Sequence, residues 1–295
     1  LVVEMQKFDP TLPVVGQTKY YFGSLYRKWI RMSPEVDRRL RTEREKWGVC
    51  WSFAFFAKTF MRGKKQPIID ELDGASILMD SGAFSARTIG LTIDIGLYTE
   101  FVQEFQPYVE RFISLDVGGE QSSVKNYLQL KKIDERIMPV WHLGESYKTL
   151  ELYLDNCDMV GIGGAAWLKI KKSGTRRALY RLFSDDMKWR YPPWSFHALG
   201  LCMYDVLFEN PWYSVDSTQQ LLVGQTGGVM LPSLEESVAI RDVDTIDERD
   251  GITLADLKAT TGKRIMYNVL RTMDLFDKKR EYVPTDHGMA FAGDF

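Results

Sequence analysis

Cysteine is scarce. The 295 residues hold three, Cys50, Cys157 and Cys202, widely spaced and odd in number. That excludes a disulfide framework, and each is expected to be a small buried side chain. Neither a CxxC nor an HExxH pattern occurs, so the spaced ligands of a zinc site are missing and no metal is expected. Net charge is nearly absent too, because 38 Lys and Arg stand against 40 Asp and Glu. No global field recruits an anionic partner, and any nucleic-acid surface has to be local. The longest nearly apolar run, 50–57, falls far short of the ~20 residues that span a bilayer. No basic-then-apolar leader opens the sequence, so the expectation is a soluble, cytoplasmic protein with no membrane partner. Heptads, repeats and low-complexity stretches are also lacking, against a coiled coil or solenoid.

What is present is the composition of a globular chain, 45% hydrophobic and 26% charged. Short apolar, β-prone runs recur at 49–55, 77–84, 111–117, 137–143, 159–163, 195–201, 213–217 and 228–231. Helical patterns lie between several of them, at 97–105, 123–131, 148–156, 175–189 and 203–208. Strands alternating with helices imply parallel βαβ units, and continuous apolar strands imply cover on both faces. The fold expected is α/β: a (β/α)8 TIM-type barrel in one domain spanning 1–295. Within it, 1–48 is read as a basic N-terminal extension, 49–231 as the barrel core and 232–295 as a C-terminal helical segment. Thr253 is the expected N-cap of a helix near 253–274.

In such a barrel, side chains at the C-terminal ends of the strands converge on one mouth. Those ends read Asp80-Ser81-Gly82, Asp116, His142, Gly163-Gly164, His197 and Asp216. Any one of them alone is better read as turn chemistry, or as a carboxylate bonding nearby amides. The whole set favours a site. Asp80 and Asp216 each follow an apolar strand, where two carboxylates can divide the roles of nucleophile and proton carrier. The glycines at 161, 163 and 164 lack both phosphate-loop spacings, and instead let a planar base approach backbone N–H groups. Phe84, Trp51 and Trp141 are stacking candidates, with core packing the simpler role for the tryptophans. Lys169, Lys171, Lys172, Arg176, Arg177 and Arg181 cluster without intervening acids, which favours contact with a phosphate backbone. Arg62, Lys64 and Lys65 are possible extensions of that patch. The basic residues at 27–46 alternate with acids and are less persuasive. No GxSxG elbow supports a Ser-His-Asp hydrolase.

Taken in order, these motifs resemble the tRNA-guanine transglycosylase superfamily, whose members exchange guanine for a 7-deazaguanine base. Residues 79–84 (MDSGAF) resemble its Asp-Ser-Gly-Gly/Ala-aromatic motif, and 162–166 (IGGAA) its Gly-Gly-Leu-Ala strand. Between them lie 114–116 (SLD) and 139–144 (PVWHLG), the latter where the family often has Val-Gln-Gly. Residues 196–201 (FHALGL) and 213–218 (YSVDST) complete the series, so the resemblance covers about 77–218. It implies that Asp216 is the nucleophile at the sugar C1′ and that Asp80 handles the proton of the leaving and entering bases. It further implies that Asp116 accepts from the base N1–H and amine, that Gly164 donates to O6, that His142 replaces a glutamine, and that Phe84 stacks. Ser81, Gly163 and His197 fall in the same base pocket. One N-glycosidic bond replaces another, so no cofactor is implied. The family's clustered zinc cysteines are missing and Ala165 replaces a leucine. Both departures fit the phage and bacterial DNA-modifying branch, with DNA and a free preQ0-type base as partners and tRNA as the alternative. A guanine in duplex DNA would have to be flipped out before attack. A catalytically silent nucleic-acid-binding barrel and an unrelated glycosidase barrel are the competing readings.

Overall fold

The computed structural model of the chain describes residues 18–88, 92–164, 196–201, 212–231 and 237–281, with single positions 179, 182, 207 and 210. Nine strands form one parallel sheet: β1 (Lys19–Gly23), β2 (Trp47–Ser52), β3 (Ile77–Asp80), β4 (Arg111–Ile113), β5 (Ile137–Met138), β6 (Val140–His142), β7 (Val160–Gly163), β8 (Phe196–Ala198) and β9 (Ser214–Ser217). The order is β5-β4-β3-β2-β1-β9-β8-β7-β6, so the two ends of the sheet are chain neighbours separated only by Pro139. Proline has no N–H for a ladder and breaks the run there. The carbonyls on either side still bond outward, Met138 O to Ser114 N and Pro139 O to Gly161 N, both at 2.8 Å. The sheet is thereby nearly closed into a barrel.

Alternation along the strands sorts inside from outside. Tyr20, Phe22, Trp47, Val49, Trp51, Ile77, Met79, Phe112 and Trp141 face outward into one large core under the helices. Tyr21, Cys50, Leu78, Ile113, Met138, Val140 and Met159 make a second cluster inside the sheet. One step further along the same parity come Asp80, His142, Gly163 and Asp216. Trp51 and Trp141 therefore belong to the helix-covered layer: Trp51 packs on Tyr26 and Phe56 at 4.9 and 5.2 Å between ring centroids.

The outer layer begins with α1 (Arg27–Ile30), α2 (Pro34–Thr42), α3 (Phe53–Met61), α4 (Gln66–Leu72), α5 (Ala83–Thr88), α6 (Ile95–Phe105), α7 (Glu120–Lys131) and α8 (Tyr147–Leu154). Their ends follow local rules. Ser33 accepts from Val36 N–H to cap α2, with Pro34 in its first turn, and Asp94 accepts from Leu97 N–H at 2.8 Å to cap α6. On α6, Tyr98, Phe101, Val102 and Phe105 recur at helical spacing and are buried. Burying each such side chain contributes about 1.5–3 kcal/mol.

Two boundaries differ from expectation. The run at 228–231 is not a barrel strand, because β10 (Gly228–Met230) pairs antiparallel with β11 (Ser237–Ala239) in a separate ribbon. Its place is filled by β1, inside the segment read as an extension and seated between β2 and β9. The barrel strands thus run from Lys19 to Ser217 rather than from 49 to 231. Several basic residues of that segment are paired with acids: Arg38 with Glu35 at 2.8 Å and Arg41 with Asp37 at 3.0 Å inside it, and Arg39 with Asp277 outside it.

After β9 the chain forms α9 (Gln219–Gln225), the ribbon, α10 (Leu254–Ala259) and α11 (Thr261–Glu281). Thr253 is the N-cap of α10, in a capping box with Asp256, and Thr260 divides the expected single helix into two. α11 lies over β1, where Phe276 meets the Tyr20 ring edge-on at 4.8 Å. Asn268 on α11 is fully buried; its Oδ1 accepts from Met230 N–H at 2.9 Å and its Nδ2 donates to Gln220 O at 3.3 Å. Asn268→Ala strands a buried N–H and a carbonyl, so urea denaturation should show a loss of about 2–3 kcal/mol. Among the described residues no helix is long and apolar enough to cross a membrane.

Candidate active site

The strands deliver their C-terminal residues to one end of the barrel, and three carboxylates gather there. Asp80 ends β3 in register with Ser52 of β2, and Asp216 lies on β9 in register with Tyr21 of β1. Asp116 follows β4 in a loop. Burial pushes the Asp80 carboxyl up to about 7, helped by the negative charges of Asp116 and Asp216 and resisted by the backbone N–H groups of Gly82 and Ser81. Asp80 nevertheless keeps some accessible surface. Behind the pair, burial and the charges of Asp216 and Asp80 hold the Cys50 thiol well above its usual range, so it is a neutral filler rather than a nucleophile.

Asp216 is held differently. Its Oδ1 accepts from Gly200 N–H at 2.9 Å and lies 3.1 Å from His197 Nε2. Nδ1 of that imidazole is 2.7 Å from Ser214 Oγ, and the ring is fully buried. His197 was expected to touch a base. Both of its nitrogens are instead engaged below the carboxylate, so its contact is with Asp216. Among the described residues both hydrogen bonds to Asp216 end on Oδ1.

His142, at the end of β6, lies 3.2 Å from Asp116 Oδ2 and 3.3 Å from Glu145 Oε1. Gly163 gives its ring room, since a Cβ there would come within 3.0 Å of His142 Cδ2. Gly164 turns the chain away at φ +94°. Gly82 is tighter still: φ is +84°, and a Cβ would meet Ala54 N at 2.7 Å and Ser52 Oγ at 2.8 Å. Ser52, Ser81 and Ser114, at the ends of β2, β3 and β4, each bury a hydroxyl with no hydrogen-bond partner among the described residues. Buried hydroxyls of this kind are ordinarily met by protein, ordered water or a ligand.

Phe84 lies on α5, one turn beyond Asp80. Lys169, Lys171, Lys172, Arg176, Arg177 and Arg181 lie outside the described residues. Arg62, Lys64 and Lys65, read as possible extensions of that patch, are exposed, and Lys65 pairs with Glu104 at 2.7 Å. Glu145 and Ser52 carried no expected role in the sequence, where only the spacing of Glu145 three residues after His142 offered a signal, and Ser114 entered only as part of the motif at 114–116. Among the described residues no group of three or more His, Cys, Asp or Glu is arranged to hold a metal.

No protein-family model matches this sequence, and no curated protein matches it. The chemistry of the site rests on its geometry. One carboxyl that is half protonated at neutral pH faces another steadied by an imidazole and an amide, an arrangement suited to an acid and a nucleophile at one carbon.

Asp80 also makes stability depend on pH. Its proton is held to about 7 in the folded chain against an ordinary 3.8, so stability falls as pH rises from about 4 to 7. Asp80→Asn removes that loss. Urea titrations should show the variant about 1–3 kcal/mol more stable than the parent at pH 8, with the gap narrowing towards pH 5.

Proposed function

We propose that the protein is a base-exchange transglycosylase that replaces guanine in DNA with a preQ0-type 7-deazaguanine base. The observation that carries this reading is the meeting of Asp80 and Asp216, in unlike environments, at one end of a nearly closed parallel sheet. With β5 and β6 counted as one run interrupted at Pro139, the sheet has eight strands and reads as a (β/α)8 barrel, whose mouth is the usual seat of chemistry.

In the first half of the reaction, Asp216 Oδ2 attacks the sugar C1′. The C1′–N bond breaks, its electron pair leaves with guanine, and Asp80 supplies a proton to that base. In the second half, the ionised Asp80 takes a proton from the ring nitrogen of the incoming base. That nitrogen then attacks C1′ and releases the Asp216 carboxylate. Bonds and protons balance without a cofactor. His197 and Gly200 N–H steer Asp216 by occupying its other oxygen. Asp116 accepts from the N1–H and amine of the base and Gly164 N–H donates to O6, with His142 in the glutamine's place against Asp116 and Gly163 giving the base close approach. Ser81 offers a further hydroxyl, and Phe84 stacks on the ring. Lys169, Lys171, Lys172, Arg176, Arg177 and Arg181 grip phosphates of the flipped-out strand. DNA is preferred over tRNA because the motif series lacks the clustered zinc cysteines of the tRNA enzymes.

Mass spectrometry of nucleosides from DNA incubated with the protein and 7-cyano-7-deazaguanine tests the proposal. The modified deoxynucleoside should accumulate, and Asp216→Asn should lower its rate by a factor on the order of 10³ or more with the fold intact. Equal or stronger modification of tRNA moves the substrate to RNA. Binding of DNA without exchange in either nucleic acid leaves a silent binding barrel.

A further inference from the structure

His142 has a carboxylate at each ring nitrogen: Asp116 Oδ2 at 3.2 Å from Nε2 and Glu145 Oε1 at 3.3 Å from Nδ1. Ionised carboxylates only accept, so satisfying both requires a hydrogen on each nitrogen, which is an imidazolium. Glu145 also grips the residue at its backbone. Its Oε2 accepts from His142 N–H at 2.9 Å, and its own N–H donates to His142 O at 2.9 Å. Across the ring, Gly163 is so close that a Cβ would stand 3.2 Å from Nε2. The imidazole is thus fixed by groups from three neighbouring strand ends.

We propose that Glu145 is a positioning residue that holds His142 as a cation, whose Nε2–H is given to Asp116 and keeps that carboxylate oriented as an acceptor for a ligand. This rests on reading the site as a base pocket. An acceptor held in this way matches an edge that presents a ring N–H, as in guanine-type bases. It opposes adenine, whose edge puts an acceptor before Asp116. An amide side chain at this place can rotate to offer either sense of hydrogen bond; an imidazolium cannot. Glu145 therefore sets specificity without touching the ligand.

The surrounding field agrees. Asp116 faces the ring from the loop after β4 and Glu145 from its own turn, and these two are the charges that act on it. Burial disfavours the charged ring, but the hydrogen bonds to Asp116 and Glu145 outweigh it and raise the pKa to about 9.

The chain has three histidines, so NMR titration of the whole protein can follow each ring, with His142→Asn assigning the signal. His142 should stay protonated through pH 8. Glu145→Gln should lower its midpoint by about one unit or more. The same variant should weaken binding of 7-cyano-7-deazaguanine several-fold at pH 8 and much less at pH 6. A parent midpoint near the ordinary 6.5, a midpoint unmoved by Glu145→Gln, or equal base binding by both proteins at pH 8 overturns the assignment. Titration and binding as expected, with no base transferred to DNA or tRNA, support Glu145 and overturn only the exchange reaction.

Discussion

Mutual repulsion among Asp80, Asp116 and Asp216 is the constraint around which the mouth is organised. Three carboxylates in a poorly hydrated space cannot all ionise freely, and the strands that carry them are hydrogen-bonded into a sheet that cannot spread. Two of the three have an imidazole against them, Asp116 with His142 and Asp216 with His197. Among the described residues Asp80 is bonded by backbone amides, and burial, with the repulsion added to it, pushes its pKa up.

Much of this was legible in the residues. Asp80, His142, Gly163 and Asp216 follow apolar strands on the inward parity, and strand alternation alone predicts that they meet. β1 was harder to see. Lys19 opens it, Tyr20 and Tyr21 follow, and basic helical sequence comes next, so the pattern looked like an extension. Pairing with β2 on one side and with β9, almost two hundred residues away, on the other makes it a strand. The run at 228–231 has equally good β chemistry, yet it pairs with the local segment Ser237–Ala239. Propensity marks a strand but does not choose its partner. His197 was misread for a related reason. It stands on the inward parity, but one layer deeper than the carboxylate it supports, and depth along the barrel axis depends on stagger that no single strand reveals.

The end of the barrel away from the mouth has its own charged group. Lys19 is buried at the start of β1, and its ammonium bonds Ser76 Oγ at 2.7 Å and Glu110 at 2.6 Å. Burial lowers the lysine pKa and Glu110 works against that fall, so the group is stabilising only as a satisfied pair. Chemistry and anchoring therefore sit at opposite ends of the same interior, separated by the apolar layer of Tyr21, Cys50, Leu78 and Ile113.

The seat of β1 between β2 and β9 has a consequence for how the molecule is made. Lys19 pairs with Ser214, and Thr18 donates to the Trp212 carbonyl across a separation of 194 residues. A ribosome delivers the first strand long before its second neighbour exists. Until then one flank of β1 is an open edge with unpaired amides, and the aromatic Tyr20 waits for a helix that emerges later still. Synthesis can assemble the intervening βα units in turn, but the ring locks shut only once β9 has emerged, in a single long-range event.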